Sequence, residues 1–567
     1  MGGVSPLSSL DAAREAVSGL LAGGVRFVVV SPGSRSAPLA YALAEAEGRG
    51  LLELAVRIDE RAAGFTALGA ALSSGRPTAV ATTSGTAVGN LLPAVMEANH
   101  AGVPLLVLSA DRPEELHGTG ANQTTEQLDI FGEHVRFASS VAAGEPPSSA
   151  VSTALNAASG VLEGIPAGPV QLNLCFRDPL VPDGEWEPPS GGSAGRDPRP
   201  SFERPVVAAH GGLPPRRTVV LAGHGSGPLA EAFAAAHGLP LLAEPSSNAR
   251  YGSHAVGPYR LLLDGRPGNR IERVVLFGRP TLSRPVTALL ARDSVQTALY
   301  HPRTVPWFTE GRRRERLVAD LDELSLFAGR GAEGWLDAWL FAGAAAQEAI
   351  DRELGAPGAP LTGPGLAQIV WRLARGQLML GSSNGIRDVD LAAAPAAEPT
   401  ARVYANRGLS GIDGTVSTAA GLWLGNRTPT DLFLGDLTFL HDAGGLLVGL
   451  GEAEPDLRVI VLNDAGGAIF GLLEHGSVGG DPATRPGAAS AVERLFGTPH
   501  RADLRALAAA YGARHRLVRT PAEAAEALAS PRAGGREVIE ARVDRTGLRG
   551  LHGRIRQAVA AAVGHGG

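Results

Sequence analysis

Short apolar runs recur along the chain, each closed by a Gly, Ser or Pro turn and followed by residues with helical spacing. They occupy positions 25–30, 78–83, 105–109, 170–174, 218–221, 274–277, 378–380, 432–434 and 458–462. Buried strands that alternate with helices predict parallel sheets covered on both faces. The expected fold class is therefore α/β, with doubly wound, mostly parallel sheets. Two stretches break the rhythm. Residues 182–217 are rich in Pro, Gly and charge, including Pro188-Pro189-Ser190-Gly191-Gly192, and residues 355–365 are again rich in Pro and Gly. Both read as linkers. The expected organisation is three units, residues 1–185, 217–350 and 351–567, with a linker at 186–216. Open parallel sheets bind ligands beyond the carboxyl ends of their strands, so the turns after these strands are where chemistry is sought.

Composition narrows the chemistry further. At 567 residues, with 44% hydrophobic and 19% charged residues, the chain reads as a globular protein of several domains. Its 51 basic residues against 57 acidic ones leave a formal charge of −6, and its longest basic run is Arg312-Arg313-Arg314. Nucleic acid is a poor partner for such a chain. One cysteine, Cys175, excludes an intramolecular disulfide and a Cys-based zinc site. No charged leader with an apolar core and no bilayer-length apolar stretch is evident, so the expectation is a cytoplasmic protein without a membrane span. The chain contains no lysine. Schiff-base chemistry with a carbonyl substrate or pyridoxal phosphate is thereby excluded, as is a Walker-type phosphate loop.

One run ends in Gly435-Asp436-Leu437, and a later one in Asn463-Asp464-Ala465-Gly466-Gly467. Each piece alone is an ordinary turn or helix cap. Together, each after an apolar strand, they suggest two carboxylates converging at one sheet edge, where Mg²⁺ would bridge them to a diphosphate. The pair resembles the Gly-Asp-Gly and Asn-Asn motif of the thiamine-diphosphate enzyme superfamily. That resemblance implies Mg²⁺ or Mn²⁺ held by Asp436, the side chain of Asp464 and the carbonyl of Gly466, with Gly435, Leu437 and Gly467 beside the cofactor. Leu437 stands where the motif has its second Gly, and Asp464 where the second Asn usually stands, so Asn463 remains an alternative ligand. A second carboxylate should make cofactor binding more dependent on the cation.

Upstream, Asp59-Glu60-Arg61 alone reads as a solvated first helical turn. Followed by Thr83-Ser84-Gly85-Thr86 and then Asn90-Leu91-Leu92-Pro93, it resembles the pyrimidine-binding domain of the same superfamily. By that resemblance Glu60 is the catalytic residue, hydrogen-bonded to the aminopyrimidine so that the cofactor loses its C2 proton, while Thr83, Ser84 and Gly85 lie against the cofactor. Residues 1–185 would then be the pyrimidine-binding domain, 217–350 a central α/β domain and 351–567 the diphosphate- and Mg²⁺-binding domain. The superfamily builds each site from two subunits, which implies a homodimer at least.

Arginines cluster at these turns: Arg35 in Ser31-Pro32-Gly33-Ser34-Arg35-Ser36, Arg112 in Asp111-Arg112-Pro113, Arg387 after Ser382-Ser383-Asn384, and Arg407 in Asn406-Arg407-Gly408. Guanidinium groups among small residues suit carboxylate recognition. The Ser-Pro-Gly-Ser-Arg-Ser and Asn-Arg-Gly-x-Ser-Gly-Ile-Asp-Gly runs resemble the 2-succinyl-5-enolpyruvyl-6-hydroxy-3-cyclohexene-1-carboxylate synthases of menaquinone biosynthesis. That resemblance spans the chain, densest at residues 31–38, 57–137 and 381–470. It implies substrate contacts from Ser34, Arg35, Arg112, Asn122, Gln123, Ser383, Arg387 and Arg407, with Ser383 also near the cofactor. Ile412 would wedge the cofactor into its bent shape, and Ile469, Phe470 and Leu473 would wall the pocket. Arg284 is carried over alone, because Ser283 stands where the family tends to have a lysine. The implied reaction decarboxylates 2-oxoglutarate and adds the four-carbon fragment to isochorismate. The nearest rival is another thiamine-diphosphate enzyme, such as acetolactate synthase or a 2-oxo-acid decarboxylase. A dinucleotide oxidoreductase lacks its fingerprint here: Ala222-Gly223-His224-Gly225-Ser226-Gly227 only approaches it.

Overall fold

The computed structural model describes residues 6–182, 184, 186, 204–208, 211–308, 311–356, 358–478 and 491–564. Most of the expected linker at 186–216, including Pro188–Gly192, lies outside the described residues. Two six-stranded parallel sheets and one of five strands carry the fold, with a two-stranded piece beside them. The α/β class expected from the pattern holds.

The first sheet is built, edge to edge, from Glu53–Val56, Phe27–Val30, Thr78–Thr82, Leu105–Asp111, Val170–Cys175 and Ala138–Val141. Its central strands are buried at every position, because helices cover both faces and only apolar or hydrogen-bonded residues fit there. The third sheet runs Ala401–Tyr404, Gly376–Leu380, Thr430–Gly435, Leu457–Asn463, Arg536–Arg542 and Arg514–Val518. In order of appearance along the chain, both sheets read 2-1-3-4-6-5. The order reverses between strands 1 and 3, and the turns that follow those strands open the crevice where such sheets take ligands. The five-stranded sheet, Arg316–Val318, Gln296–Tyr300, Arg273–Phe277, Thr218–Ala222 and Leu241–Ala243, lies between them in sequence.

The first and third sheets are joined by the helices that follow their second strands, Glu60–Ser74 and Thr415–Asn426. The helices touch backbone to backbone. A Cβ at Gly69 would lie 2.1 Å from the Thr418 carbonyl oxygen, and one at Gly421 would lie 2.1 Å from that of Thr66. Glycine is required on both helices, and overpacking such a seam typically costs 1–3 kcal/mol or more. No helix among the described residues is long and apolar enough to cross a membrane.

Candidate active site

At the third sheet, strands 3 and 4 pair so that Gly435 stands beside Leu462. The turn residues that follow are thereby adjacent. Asp436 opens the helix Asp436–His441, is 2% exposed, and accepts hydrogen bonds from Leu437 N at 2.6 Å, Gly466 N at 3.0 Å and His500 Nε2 at 3.1 Å. Burial raises the Asp436 carboxyl, and His500 opposes that shift. Asp464 is different. Its Oδ1 is buried with no hydrogen-bond partner, and burial followed by the neighbouring Asp436 charge pushes its carboxyl up to about 7. A buried oxygen without a partner is costly, and a divalent cation between the two carboxylates would relieve it. Asn463 faces the sheet: its Nδ2 donates to Glu540 Oε1 at 2.8 Å and its Oδ1 accepts from Ala465 N at 3.0 Å.

At the first sheet, Gly33 after strand 1 packs on Thr83 after strand 3, where a Cβ would come within 2.3 Å of the Thr83 Cβ. The Ser84 hydroxyl donates to the Gln123 carbonyl at 2.8 Å and accepts from Arg112 Nη1 at 2.7 Å, and Gln123 Nε2 returns a bond to the Ser84 carbonyl at 2.9 Å. Buried Gln127 accepts from Gly85 N at 2.7 Å and so fixes the turn from below. Arg35 Nη1 donates to the Phe176 carbonyl at 2.8 Å, while Ser34 and Asn122 are exposed nearby in sequence. Glu60 begins its helix behind an Asp59 cap and meets Asn90 Nδ2 at 3.4 Å. Ile58, two residues before it, is 70% exposed.

The arginines of the third sheet are anchored from below. Arg387 bonds the Ser383 carbonyl within its own helix. Arg407, 2% exposed, donates through Nε to Thr281 Oγ1 at 3.0 Å and through Nη2 to the Thr281 carbonyl at 2.7 Å. Thr281 and Leu282 in turn donate their backbone N–H groups to Glu244 Oε1, each at 3.0 Å. The next two residues are clamped as well: Gly408 N and Leu409 N donate to the buried Glu97 carboxylate at 2.6 and 2.7 Å. Backbone geometry marks the same loops. Four of the seven non-glycine residues at positive φ among the described residues, Gln123, Ser383, Ser410 and Ala465, lie in them. Such conformations persist where surrounding structure enforces them, often at sites.

Residues 11–131 match the model of the family described as thiamine pyrophosphate enzyme, N-terminal TPP binding domain. A protein of Arthrobacter sp. (strain FB24), named 2-succinyl-5-enolpyruvyl-6-hydroxy-3-cyclohexene-1-carboxylate synthase, is 64% identical over 99% of this chain and 93% of its own. Proteins of the same name from Paenarthrobacter aurescens (strain TC1) and Nocardioides sp. (strain ATCC BAA-499 / JS614) are 64% and 46% identical, over 98% and 97% of this chain and 98% of each relative. The chain belongs to the 2-succinyl-5-enolpyruvyl-6-hydroxy-3-cyclohexene-1-carboxylate synthase family.

Within a synthase of this family, not every residue expected from the sequence joins a cluster. Arg284, 74% exposed, forms an ion pair with Glu474 at 2.7 Å, which ties the helix Arg284–Leu290 to the segment after Leu473. The Phe470 ring packs 5.5 Å from Phe496, and Ile469 and Leu473 are half-buried around it. Ile412 is half-buried, and its carbonyl accepts from Thr415 Oγ1 at 3.1 Å. Sequence reasoning missed His500, Glu97, Glu244 and Gln127. His500 is one of fourteen histidines, in a stretch without a strand-end signal; it reaches Asp436 because its segment folds over the Asp464 loop, with Gly467 N donating to the Gly497 carbonyl at 2.8 Å.

Proposed function

We propose that the chain decarboxylates 2-oxoglutarate and adds the resulting four-carbon fragment to isochorismate, using thiamine diphosphate and Mg²⁺, as the name of its relatives implies. The observation that carries this reading is the Asp436–Asp464 pair. A buried carboxylate oxygen without a hydrogen-bond partner, beside a second carboxylate at the crevice of a parallel sheet, fits a divalent cation. Asp436, Asp464 and the Gly466 carbonyl would hold the ion, with Mn²⁺ a workable substitute. Asn463 is not a ligand in this reading, because both ends of its amide are engaged elsewhere. Bound thiamine diphosphate would supply the electron sink for loss of CO₂.

The chain's own groups do the rest. Glu60 would hold a proton against the pyrimidine of the cofactor, and Ser383, Ile412, Ile469 and Phe470 would shape its pocket. Arg35, Arg112, Arg387 and Arg407, with Ser34, Asn122 and Gln123, would receive the carboxylates of two anionic substrates. Buried Arg407 and the half-buried Arg35, Arg112 and Arg387 would create the local positive field that a net charge of −6 conceals. A homodimer at least, whose sites combine halves from two subunits, is the assembly that the superfamily resemblance implies.

The deciding experiment incubates the protein with thiamine diphosphate, Mg²⁺ and 2-oxoglutarate, with and without isochorismate, and follows CO₂ release together with product formation. Isochorismate-dependent consumption of 2-oxoglutarate is expected. Turnover of pyruvate in its place would transfer the chain to the rival thiamine-dependent class.

A further inference from the structure

Strands Leu105–Asp111 and Val170–Cys175 run side by side, and their last residues, Asp111 and Cys175, are register partners. His117 folds back over this strand end, with Nε2 3.5 Å from Asp111 Oδ2 and 3.0 Å from the Arg112 carbonyl oxygen. One ligand atom from each of Asp111, His117 and Cys175 lies within 4.8 Å of the other two. Asp111 and Cys175 are 1% and 4% exposed, whereas His117 is half-buried and leaves a way in. Asn173 Nδ2 donates to Asp111 Oδ2 at 2.9 Å, so the carboxylate is already oriented by an outer partner.

We infer that Asp111, His117 and Cys175 form a binding site for a soft divalent transition-metal ion such as Zn²⁺, separate from the Asp436–Asp464 pair. A thiolate, an imidazole and a carboxylate are the donors of a borderline-soft cation, whereas Mg²⁺ takes oxygen ligands, so the two sites select different ions. Tetrahedral zinc with Zn–S of about 2.3 Å and Zn–N of about 2.0 Å holds neighbouring donors about 3.3–3.6 Å apart. The His117–Asp111 separation of 3.5 Å already has that size, and small side-chain adjustments bring Sγ into place. One carboxylate and one thiolate also neutralise a divalent charge, which a buried site requires. Burial, with Asp111 adding to it, keeps the Cys175 thiol protonated up to about 12 in the metal-free protein. Formation of the metal–sulfur bond therefore expels one proton from Sγ to solvent. On the count of cysteines alone a Cys-based zinc site is excluded, but a mixed donor set needs only one cysteine, and Asp111 and His117 supply the other donors.

Occupation of this site acts on Arg112. His117 Nε2 would exchange its bond to the Arg112 carbonyl for the metal, while Asp111 Oδ1, which accepts from Arg112 N at 2.8 Å, sits on the same ion's ligand. The strand end that aims Arg112 at Ser84 is then rebuilt around a cation. This consequence rests on the substrate role proposed for Arg112; the binding of the ion does not.

The test titrates the metal-free full chain with Co²⁺ in excess Mg²⁺ and follows the thiolate-to-cobalt charge-transfer absorption. Cys175 is the only cysteine, so the band reports on it alone. A band that saturates at one equivalent per chain is expected, lost in Cys175→Ser and at least tenfold weaker in affinity in His117→Ala, whose site of substitution is half-exposed and spares the core. No band in the wild type, or equal affinity in His117→Ala, overturns the site. In a parallel assay, Zn²⁺ should raise the KM for the anionic substrate severalfold in the wild type and not in His117→Ala. Cobalt binding with an unchanged KM overturns the link to Arg112.

Discussion

The first and third sheets share one strand order, yet the same strand ends carry opposite chemistry. After strand 3 the first sheet places Ser84 and Gly85, neutral groups held by Gln123 and Gln127, where the third places the buried Asp436. After strand 4 the first sheet turns at Asp111-Arg112, a carboxylate bonded to backbone and amide, and the third turns at Asp464, a carboxylate with one oxygen, Oδ1, left without a hydrogen-bond partner. After strand 2 the first sheet starts a helix at Glu60, while the third leads into Arg407 and its anchors. A fold of this kind supplies positions, and the charge loaded at each position decides which part of a reaction it can perform.

The largest break in this comparison is expected at Glu60. Glu60→Gln should leave the melting temperature near that of the wild type, because the side chain is half-exposed with one long contact, and should cut turnover by about 10²–10⁴-fold, the usual weight of a positioned acid–base group. Unchanged C2–H exchange of thiamine diphosphate in the variant would remove Glu60 from the proton path. At the third sheet the corresponding break is Asp436→Ala. Thiamine diphosphate with Mg²⁺ at about 100 times its Kd should stabilise the wild type by about 2.7 kcal/mol, and the variant by far less. Equal shifts in thermal unfolding would discard the Asp436–Asp464 pair as the ion site.

A third prediction separates the two second-strand ends by pH. Arg407 depends on the loops of the five-stranded sheet through Thr281 and Glu244, whereas Glu60 does not. Burial, with Asp390 adding to it, pushes the Glu244 carboxyl up to about 8 from an ordinary 4.5. The folded state thus holds a proton that the unfolded chain releases above about 4.5, so this group lowers stability as pH rises towards 8. Glu244→Gln removes that slope while an amide oxygen still accepts from Thr281 and Leu282. Relative to the wild type, the variant should gain stability between pH 5 and pH 8 in thermal unfolding; parallel curves would contradict it.

Much of this framework was legible because the central strands are apolar runs between turn residues, and residues 78–83, 105–109, 170–174 and 458–462 coincide closely with observed strands. Arg536–Arg542 was not. It lies inside the third sheet, yet its Glu540 is buried only because Asn463, His515 and Arg542 bond it, a pairing that no local pattern shows. Edge strands such as Glu53–Val56 and Arg514–Val518 are short and partly exposed because one side has no neighbour. The strand-end residues of the site were visible for their chemistry. Glu97, Glu244 and His500, which hold those residues from other units or distant segments, had no signal of their own, since their role exists only after folding.

The smallest predicted effect tests whether the backbone at one strand end was shaped for function. Gly85 and Ser383 have nearly the same conformation, φ 78°, ψ −134° and φ 72°, ψ −132°. Glycine adopts it freely, whereas serine is strained there by about 1–3 kcal/mol. Part of that strain is offset in Ser383→Gly by the greater freedom of glycine in the unfolded chain, about 0.5–1 kcal/mol, so the variant should be more stable by about 1 kcal/mol in denaturant unfolding and still lose turnover if the hydroxyl meets substrate or cofactor. Gly85→Ala should do the reverse and destabilise, since its Cβ would also fall 2.8 Å from the Gln123 Cγ. A less stable Ser383→Gly would mean that the serine side chain contributes more to folding than its backbone costs, and the strained turn would then need no functional explanation.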